Sequence, residues 1–599
     1  MTPNLRLCVS LVLSALLAAM LAVAASGQEP PAGDAAQTQN VAAADDVRTA
    51  EGAADGDAAP GAAGDADTTW QDDINDWFGE NLVDPIGSVL MYGFGTADIK
   101  WIGVNLPFIV MWLLAGAIFF TLRMVFINIR GFWHAIRLTK GDYDKPGDEG
   151  EVSHFQALAS ALSATVGLGN IAGVAIAVGM GGPGAIFWMV IAGLLGMTSK
   201  FTECSLAQMY RKVAPDGTVS GGPMHYLRDG LARLSLFGIS LAPLGFILSV
   251  MFAILCVGAS VGGGCAFQVN QSGGALRYIL ERDTLQELDS LDQQIAANAS
   301  AEADVEALRT ERAELEDNRA QREFHFRWIY GLVMATFVGL VIIGGFRRIA
   351  ATASRIVPLM CALYVAMALW VLLANWTQID DALLTIFNGA FRPEGFAGGA
   401  LGVMVIGIQR AAFSNEAGVG SAAIAHAAAK TDEPISEGFV ALLEPFIDTV
   451  VICTMTGLVI VITGAYSDPA NEAIIQANRG AVLTSNALES VQNWFPLVLG
   501  LAVVMFAFST MISWSYYGER CVTHLLGPRA SLPFKLFFLV CVFLGSIMTA
   551  TNVLEFSDLM LLSMALPNIL GLVLLSGQVR RALTDYWRRY RLGEFEVNA

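Results

Sequence analysis

The sequence predicts an all-α polytopic membrane protein of 11 transmembrane helices. Three observations carry that expectation. Hydrophobic residues make up 54% of the 599-residue chain and charged residues 15%, and the apolar runs reach about 20 residues, the length that crosses a bilayer core. Short loops between alternate runs are rich in Arg and Lys, which marks one side of the membrane. The second and seventh runs are interrupted by glycine and small polar residues; they lie five apart and point in opposite directions. Two inverted five-helix repeats, each led by a discontinuous helix and preceded by one extra N-terminal span, have this arrangement.

Met1–Gln28 carries one Arg, an apolar run and the small residues Ala22, Ala24 and Ser26, the pattern of a signal peptide. A retained signal anchor is the alternative, and either puts the next segment outside the cytoplasm. Residues 29–69 are acidic and rich in Ala and Gly, with too little apolar surface to offset chain entropy, so disorder is expected. Residues 70–102, with Trp77, Phe78 and Tyr92, read as a periplasmic interfacial segment. The extra span covers 103–129 and is followed by Arg130, Arg137 and Lys140.

The first repeat is expected over 155–376. It holds the interrupted second span around Ser160–Gly184, a third span returning to Arg211 and Lys212, and a re-entry segment at 219–234. A fourth span follows at 239–270, a fifth at 328–346 ending in Arg347 and Arg348, and a sixth at 356–376. Between spans four and five lies a polar insert. Leu285, Leu288, Leu291 and Ile295 form one helical stripe, and Val305, Leu308 and Leu315 another. An antiparallel hairpin at 281–323 outside the membrane fits, either self-packed or offering a surface to a partner or a second copy.

The second repeat is expected over 396–578. Span seven starts near Phe396 and carries the interruption Ile408–Gly420. Spans eight to eleven are read at 439–463, 494–517, 533–550 and 553–576, with an outer loop at 464–493. Arg580, Arg581, Arg588, Arg589 and Arg591 place the tail, 579–599, in the cytoplasm. A signal peptide with basic inner loops suits the bacterial inner membrane.

Much of the formal net charge of −19 lies in the acidic lead and the insert, and such acidity excludes nucleic acid as a partner. Cys8 falls in the signal segment and the other cysteines in or beside apolar runs, so neither a disulfide framework nor a zinc site is indicated. The chain has no HExxH pattern and no nucleophile–base arrangement, which argues against an enzyme.

The chemistry concentrates at the interruptions. Glycine costs about 1 kcal/mol relative to alanine within a helix, so Gly167, Leu168 and Gly169 mark the easiest break. A break leaves N–H groups that favour an anion and carbonyls that ligate a cation; a close-packing glycine face is the alternative. Ser163, Thr165, Ser509 and Thr510 need partners inside a membrane, from an ion or from the preceding turn of their own helices. Ser414, Asn415 and Glu416 lie in the second interruption, facing the pocket or, for Glu416, capping a half-helix. Glu203, Glu444 and Asp448 are acids inside spans, read near the cytoplasmic ends, where gating pairs with Arg410 or Arg520 are one hypothesis.

Thr165-Val166-Gly167-Leu168-Gly169-Asn170 resembles the first core helix of LeuT-type sodium-coupled amino-acid transporters. GLGNIAGVAIA, GGPGAIFWM, KFTECSLAQMYR, FSNEAGVGSAAIAHAAAKT and EPFIDTVVICTMTGL resemble the alanine or glycine:cation symporter family, over roughly Leu106–Leu592. The resemblance implies a LeuT fold and a secondary transporter that imports a small neutral amino acid, alanine, glycine or serine, with sodium by alternating access. It implies no cofactor. By the same resemblance Gly167, Leu168 and Gly169 offer N–H groups to the substrate carboxylate, and Thr165 borders the substrate in a compact cavity. Thr165 and Asn170 match the positions of one sodium site. Ser163 and Val166 match carbonyl donors of a second, completed by the hydroxyls of Ser509 and Thr510. Gln268 would face the substrate, with Ser414 and Asn415 across the pocket. LeuT-type sequences have alanine at the Thr165 position, which leaves the sodium stoichiometry open. Two other readings stand beside this one: a proton-coupled transporter with Glu416 or Glu203 as carrier, and an amino-acid-sensing receptor using the outer hairpin.

Overall fold

The computed structural model describes residues 107–145, 147–297, 302–391, 399–476, 479–547, 557, 559–595 and 597. The expected signal peptide, acidic lead and interfacial segment lie outside the described residues, as does the predicted start of span seven near Phe396. Among the described residues eight helices are long and apolar enough to cross a membrane, or nine if a pair bent by 56°, His154–Thr165 with Gly169–Gly181, counts as one span. Two shorter helices, Phe108–Arg123 of 16 residues and Gly399–Asn415 of 17, occupy the places predicted for the first and seventh spans. The molecule is an all-α membrane bundle with two discontinuous helices.

Local sequence explains the first discontinuity. Ser153 and Gln156 form a reciprocal cap that starts His154–Thr165. Val166 then leaves helical geometry at ψ 97°, and the chain resumes as a wide turn at Gly169–Gly173 before Val174–Gly181. At the second, Gly399–Asn415 stops where Glu416 takes a left-handed conformation, φ +52°. Gly418 and Gly420, at φ +87° and +94°, carry the chain to the short helix Ala422–His426. The two interruptions face each other: a Cβ at Gly169 would lie 3.7 Å from Ser414 Cα.

The insert differs from a domain hung on loops. The fourth span extends over Ala242–Leu280, and Arg282–Ala297 continues it as the first arm of the hairpin. The second arm and the fifth span form one 41-residue helix, Glu302–Ile342. No Gly or Pro stands between Glu302 and Tyr330 to stop it. Leu288, Leu291 and Val305 from the predicted stripes are buried. Arg312 meets Asp292 at 2.6 Å and Arg319 meets Glu281 at 3.1 Å across the arms, and Arg277 pairs with Glu323 at the base.

The predicted outer loop and the re-entry segment are both structured. The outer loop 464–493 contains the helix Gly480–Glu489, pressed onto the broken second span: a Cβ at Gly480 would fall 2.1 Å from the Ala172 carbonyl oxygen. Thr484 donates to the Ile171 carbonyl at 3.2 Å. The re-entry segment 219–234 lies beside two small antiparallel pairs, Lys212–Val213 with Val219–Ser220 and Ser235–Leu236 with Ile239–Ser240. Its Met224, Tyr226 and Leu227 are fully buried.

Candidate functional site

Two polar clusters meet at the broken second span, both sealed from solvent. In the first, the hydroxyl of Ser163 donates to the Ser509 carbonyl at 2.6 Å, and Ser513 donates to Ser163 Oγ at 2.9 Å. The Ser163 carbonyl accepts from Thr510 at 3.2 Å and from Ser509 at 3.3 Å. Thr510 also borders the break, since a Cβ at Gly167 would lie 3.2 Å from its hydroxyl. These contacts join the last helical turn before Val166 to Phe495–Leu526. They assemble hydroxyl and carbonyl oxygens with no formal charge, a donor set suited to a hard monovalent cation.

Asn170 organises the second cluster. Its Oδ1 accepts the Gly167 N–H at 2.7 Å, which caps the break. Its Nδ2 donates to Asp448 Oδ1 at 2.6 Å and to Ser414 Oγ at 3.0 Å. Asp448 Oδ2 accepts from Ser414 at 2.7 Å and from Thr449 at 2.8 Å, and Asn415 donates to Thr449 at 2.9 Å. Thr456 donates to the Asn170 carbonyl at 2.9 Å and lies 2.6 Å from the Tyr364 hydroxyl. Asp448 therefore stands at the breaks and not near a span end as expected from the sequence. Its helix begins at Pro434, earlier than the predicted 439, and passes through a wide-turn segment, Phe446–Cys453, that changes the rotation of the residues it carries.

Other expected residues are placed differently. The Thr165 hydroxyl bonds the Ala161 carbonyl of its own helix at 3.3 Å. Gln268 donates to the Gly263 carbonyl at 3.0 Å, and its buried Oε1 has no hydrogen-bond partner among the described residues. That bond ties the amide nitrogen to the turn preceding its own helix. The wide turn Gly262–Ala266 before it gives Trp514 a close approach, because a Cβ at Gly264 would lie 2.4 Å from Trp514 Cβ.

A third group surrounds the second break and is charged. Lys200, fully buried, binds Glu444 Oε1 at 2.9 Å and lies 3.9 Å from Glu203. Glu203 accepts from Asn568 at 3.1 Å, and Asn568 also donates to the Gly418 carbonyl at 2.8 Å. His426 stands between Glu437, at 2.5 Å, and Glu444, at 3.8 Å. The other oxygen of Glu437 binds His154, whose second nitrogen lies 3.9 Å from Asp144. Glu416 accepts from Ser421. One carboxylate thus ties the leading half of the second span, through His154, to the trailing half of the seventh, through His426.

Sequence reading did not single out Lys200, Ser513, His154, His426 or Glu437. Ser513 follows Ser509 by four residues and so shares its helical face. Lys200 is a lysine within an apolar run with an acid three residues on, the usual sign of an internal pair.

The chain is 36% identical over 474 residues to the sodium/alanine symporter AgcS of Methanococcus maripaludis, covering 79% of this chain and 92% of that protein. It is 31% identical to the amino-acid carrier protein AlsT of Bacillus subtilis, covering 82% and 93%, and 31% to the probable sodium/glutamine symporter GlnT of the same organism, covering 82% and 90%. Among solved structures, MhsT in complex with L-phenylalanine aligns over 72% of this chain and 99% of its own, with 15% identity and a TM-score of 0.42. Residues 96–598 match the sodium:alanine symporter family. The chain belongs to that family, and it is a multi-pass membrane transporter, not an enzyme.

Proposed function

We propose that the chain imports a small neutral amino acid, alanine, glycine or serine, together with sodium by alternating access. The observation that carries this reading is the convergence of Ser163, Ser509, Thr510 and Ser513 beside the break at Val166–Gly167. A sodium ion there would be held by the Ser163 and Val166 carbonyls and the Ser509 and Thr510 hydroxyls. The substrate carboxylate would lie along Gly167, Leu168 and Gly169, beside Thr165, with Gln268, Ser414 and Asn415 around it. Asn170 already occupies the Gly167 N–H, so a carboxylate taking that donor displaces the amide and frees its oxygen for a cation. Ligand and ion binding are coupled through one side chain. One positive charge entering with a zwitterion gains about 2.3 kcal/mol per 100 mV, enough for roughly 50-fold accumulation.

In this reading the repeats are 155–376 and 396–578, the chain lies in a bacterial inner membrane, and its C-terminus is cytoplasmic. The hairpin at 281–323 is then dispensable for uptake; a partner or second copy would meet it outside. Counterflow of labelled L-alanine in proteoliposomes, with and without sodium at fixed pH, tests the proposal. Exchange that requires sodium supports it; exchange of equal rate without sodium removes the ion assignment. A second reading, proton coupling, draws on the ionisable chain from Asp144, whose side chain is 46% exposed, to buried Glu203. Uptake that persists without sodium and follows an imposed proton gradient would favour it.

A further inference from the structure

The structure assigns a second binding site to this chain: a groove for the phosphate headgroup of an anionic phospholipid, between the end of the first span and the C-terminal helix. The groove has a volume of about 430 Å³, and Arg130, Arg580, Arg588 and Arg591 line it with Trp587 and Leu583. None of the described residues lining it is acidic. Asp585, at its edge, binds Arg588 at 2.8 Å and Arg589 at 3.0 Å, and Glu433 takes Arg589 again. Arg130 lies over the Trp587 ring at 5.9 Å and donates to the Val125 carbonyl at 3.2 Å. Arg580 donates to the Arg123 carbonyl. Arg588 is partly answered by Asp585, whereas the carbonyl contacts orient Arg130 and Arg580 without neutralising them. Guanidinium groups gathered around one cavity repel each other, and a phosphodiester answers them with paired hydrogen bonds and charge.

The backbone is built to make this groove. Val125 and Phe126 both adopt left-handed conformations, φ +56° and +52°, a state rarely taken by residues of these types. That turn separates Phe108–Arg123 from the short helix Ile127–Arg130 and brings Arg130 against the C-terminal helix. Strained backbone of this kind persists where surrounding contacts hold it.

The exposed apolar residues of the segment that carries Arg130 favour a lipid over a free anion. Ile129 is 71% exposed and Trp133 76% exposed, with Leu122 and Phe126 exposed next to them. A soluble phosphate gains nothing from that surface, whereas acyl chains cover it while the headgroup meets the arginines. Basic pockets between spans at the cytoplasmic surface take anionic headgroups in this way, and tryptophan settles at the same depth.

The test uses the full-length protein in detergent, with dioleoylphosphatidylglycerol, dioleoylphosphatidylcholine and inorganic phosphate as probes. Native mass spectrometry reads retained lipid and a melting curve reads stabilisation. Phosphatidylglycerol is expected to be retained about tenfold more than phosphatidylcholine and to raise the melting temperature, while phosphate alone leaves it unchanged. The triple variant Arg130→Gln, Arg580→Gln, Arg591→Gln should lose the preference, and the control pair Arg347→Gln, Arg348→Gln should keep it. Equal retention of the two lipids by the wild type overturns the proposal, as does a folded triple variant that retains the preference. Phosphate that stabilises as well as phosphatidylglycerol also overturns it, in favour of a soluble-anion site. The wild-type comparison needs no variant, so a triple variant that fails to fold leaves the test decisive.

Discussion

The two helix breaks do the same mechanical job with opposite chemistry. At Val166–Leu168 the chain leaves its helix among serine and threonine hydroxyls and carbonyls, and an amide, Asn170, caps the opening. At Glu416–Gly420 it leaves beside carboxylates, a lysine and two histidines that already answer one another. The oxygens around Ser163 carry no formal charge, and Asp448 beside them is held by Asn170, Ser414 and Thr449, a donor set that can accept an ion and a zwitterion. A break whose charges are internally paired is suited to holding two half-helices together until the pairs are exchanged. We propose binding at the first break and latching at the second, and both proposals can be broken experimentally.

The largest effect is expected at Lys200. Replacing it with Met leaves Glu444 and Glu203 buried without their shared cation. Removing one partner of a buried pair costs about 3–5 kcal/mol, so Lys200→Met should fall sharply in melting temperature in detergent. Adding Glu444→Gln should recover much of the loss. A single variant as stable as wild type would show that the second break does not depend on internal pairing.

Asn170→Ala comes next. It removes the cap on Gly167 and the donor that holds Asp448 Oδ1. Leaving a buried carboxylate one donor short costs about 2–3 kcal/mol; lost from the sodium- and substrate-bound state, that energy lowers sodium-dependent alanine exchange on the order of 100-fold. Retained exchange would mean that the first break is not the binding site.

Glu437→Gln probes the latch directly. The carboxylate joins His154 to His426, and an amide makes a weaker, singly polarised link. Hydrogen exchange of His154–Thr165 should quicken by about tenfold while that of Gly480–Glu489 stays unchanged. Equal protection in variant and wild type would remove the latch reading.

What was legible in the sequence follows from what a one-dimensional pattern carries. Glycine punctuation located both breaks, and motif resemblance pointed to Ser163 meeting Ser509 and Thr510, which the fold brings together. Depth and rotation were not legible. Asp448 was read near a span end because its helix was begun too late, and the wide turn Phe446–Cys453 then set its direction. Thr165 is the last helical residue before the break, yet its hydroxyl folds back on Ala161, a choice between rotamers that spacing does not encode. The hairpin was read as a separate insert because its surface is polar, while helix continuity, set by the absence of Gly and Pro, runs from it into the fifth span. Of the charged group, the acids Glu203, Glu416 and Glu444 are visible inside spans, but Lys200, His154, His426 and Glu437 join them from separate segments, and only folding shows that one lysine serves two acids.

Ser513 offers the finest test of the comparison. It lies one turn beyond Ser509 and donates to the Ser163 hydroxyl, so it touches the cation donors without being one of the expected ligands. Ser513→Ala removes one neutral hydrogen bond of about 1 kcal/mol. If the cluster holds sodium, the loosened Ser163 should raise the sodium concentration for half-maximal alanine exchange about fivefold, with maximal exchange at saturating sodium intact. If the cluster only packs two helices, the same change should lower the melting temperature and leave the sodium dependence where it was. The two outcomes differ in which axis moves, so a modest effect still separates an ion site from a helix contact.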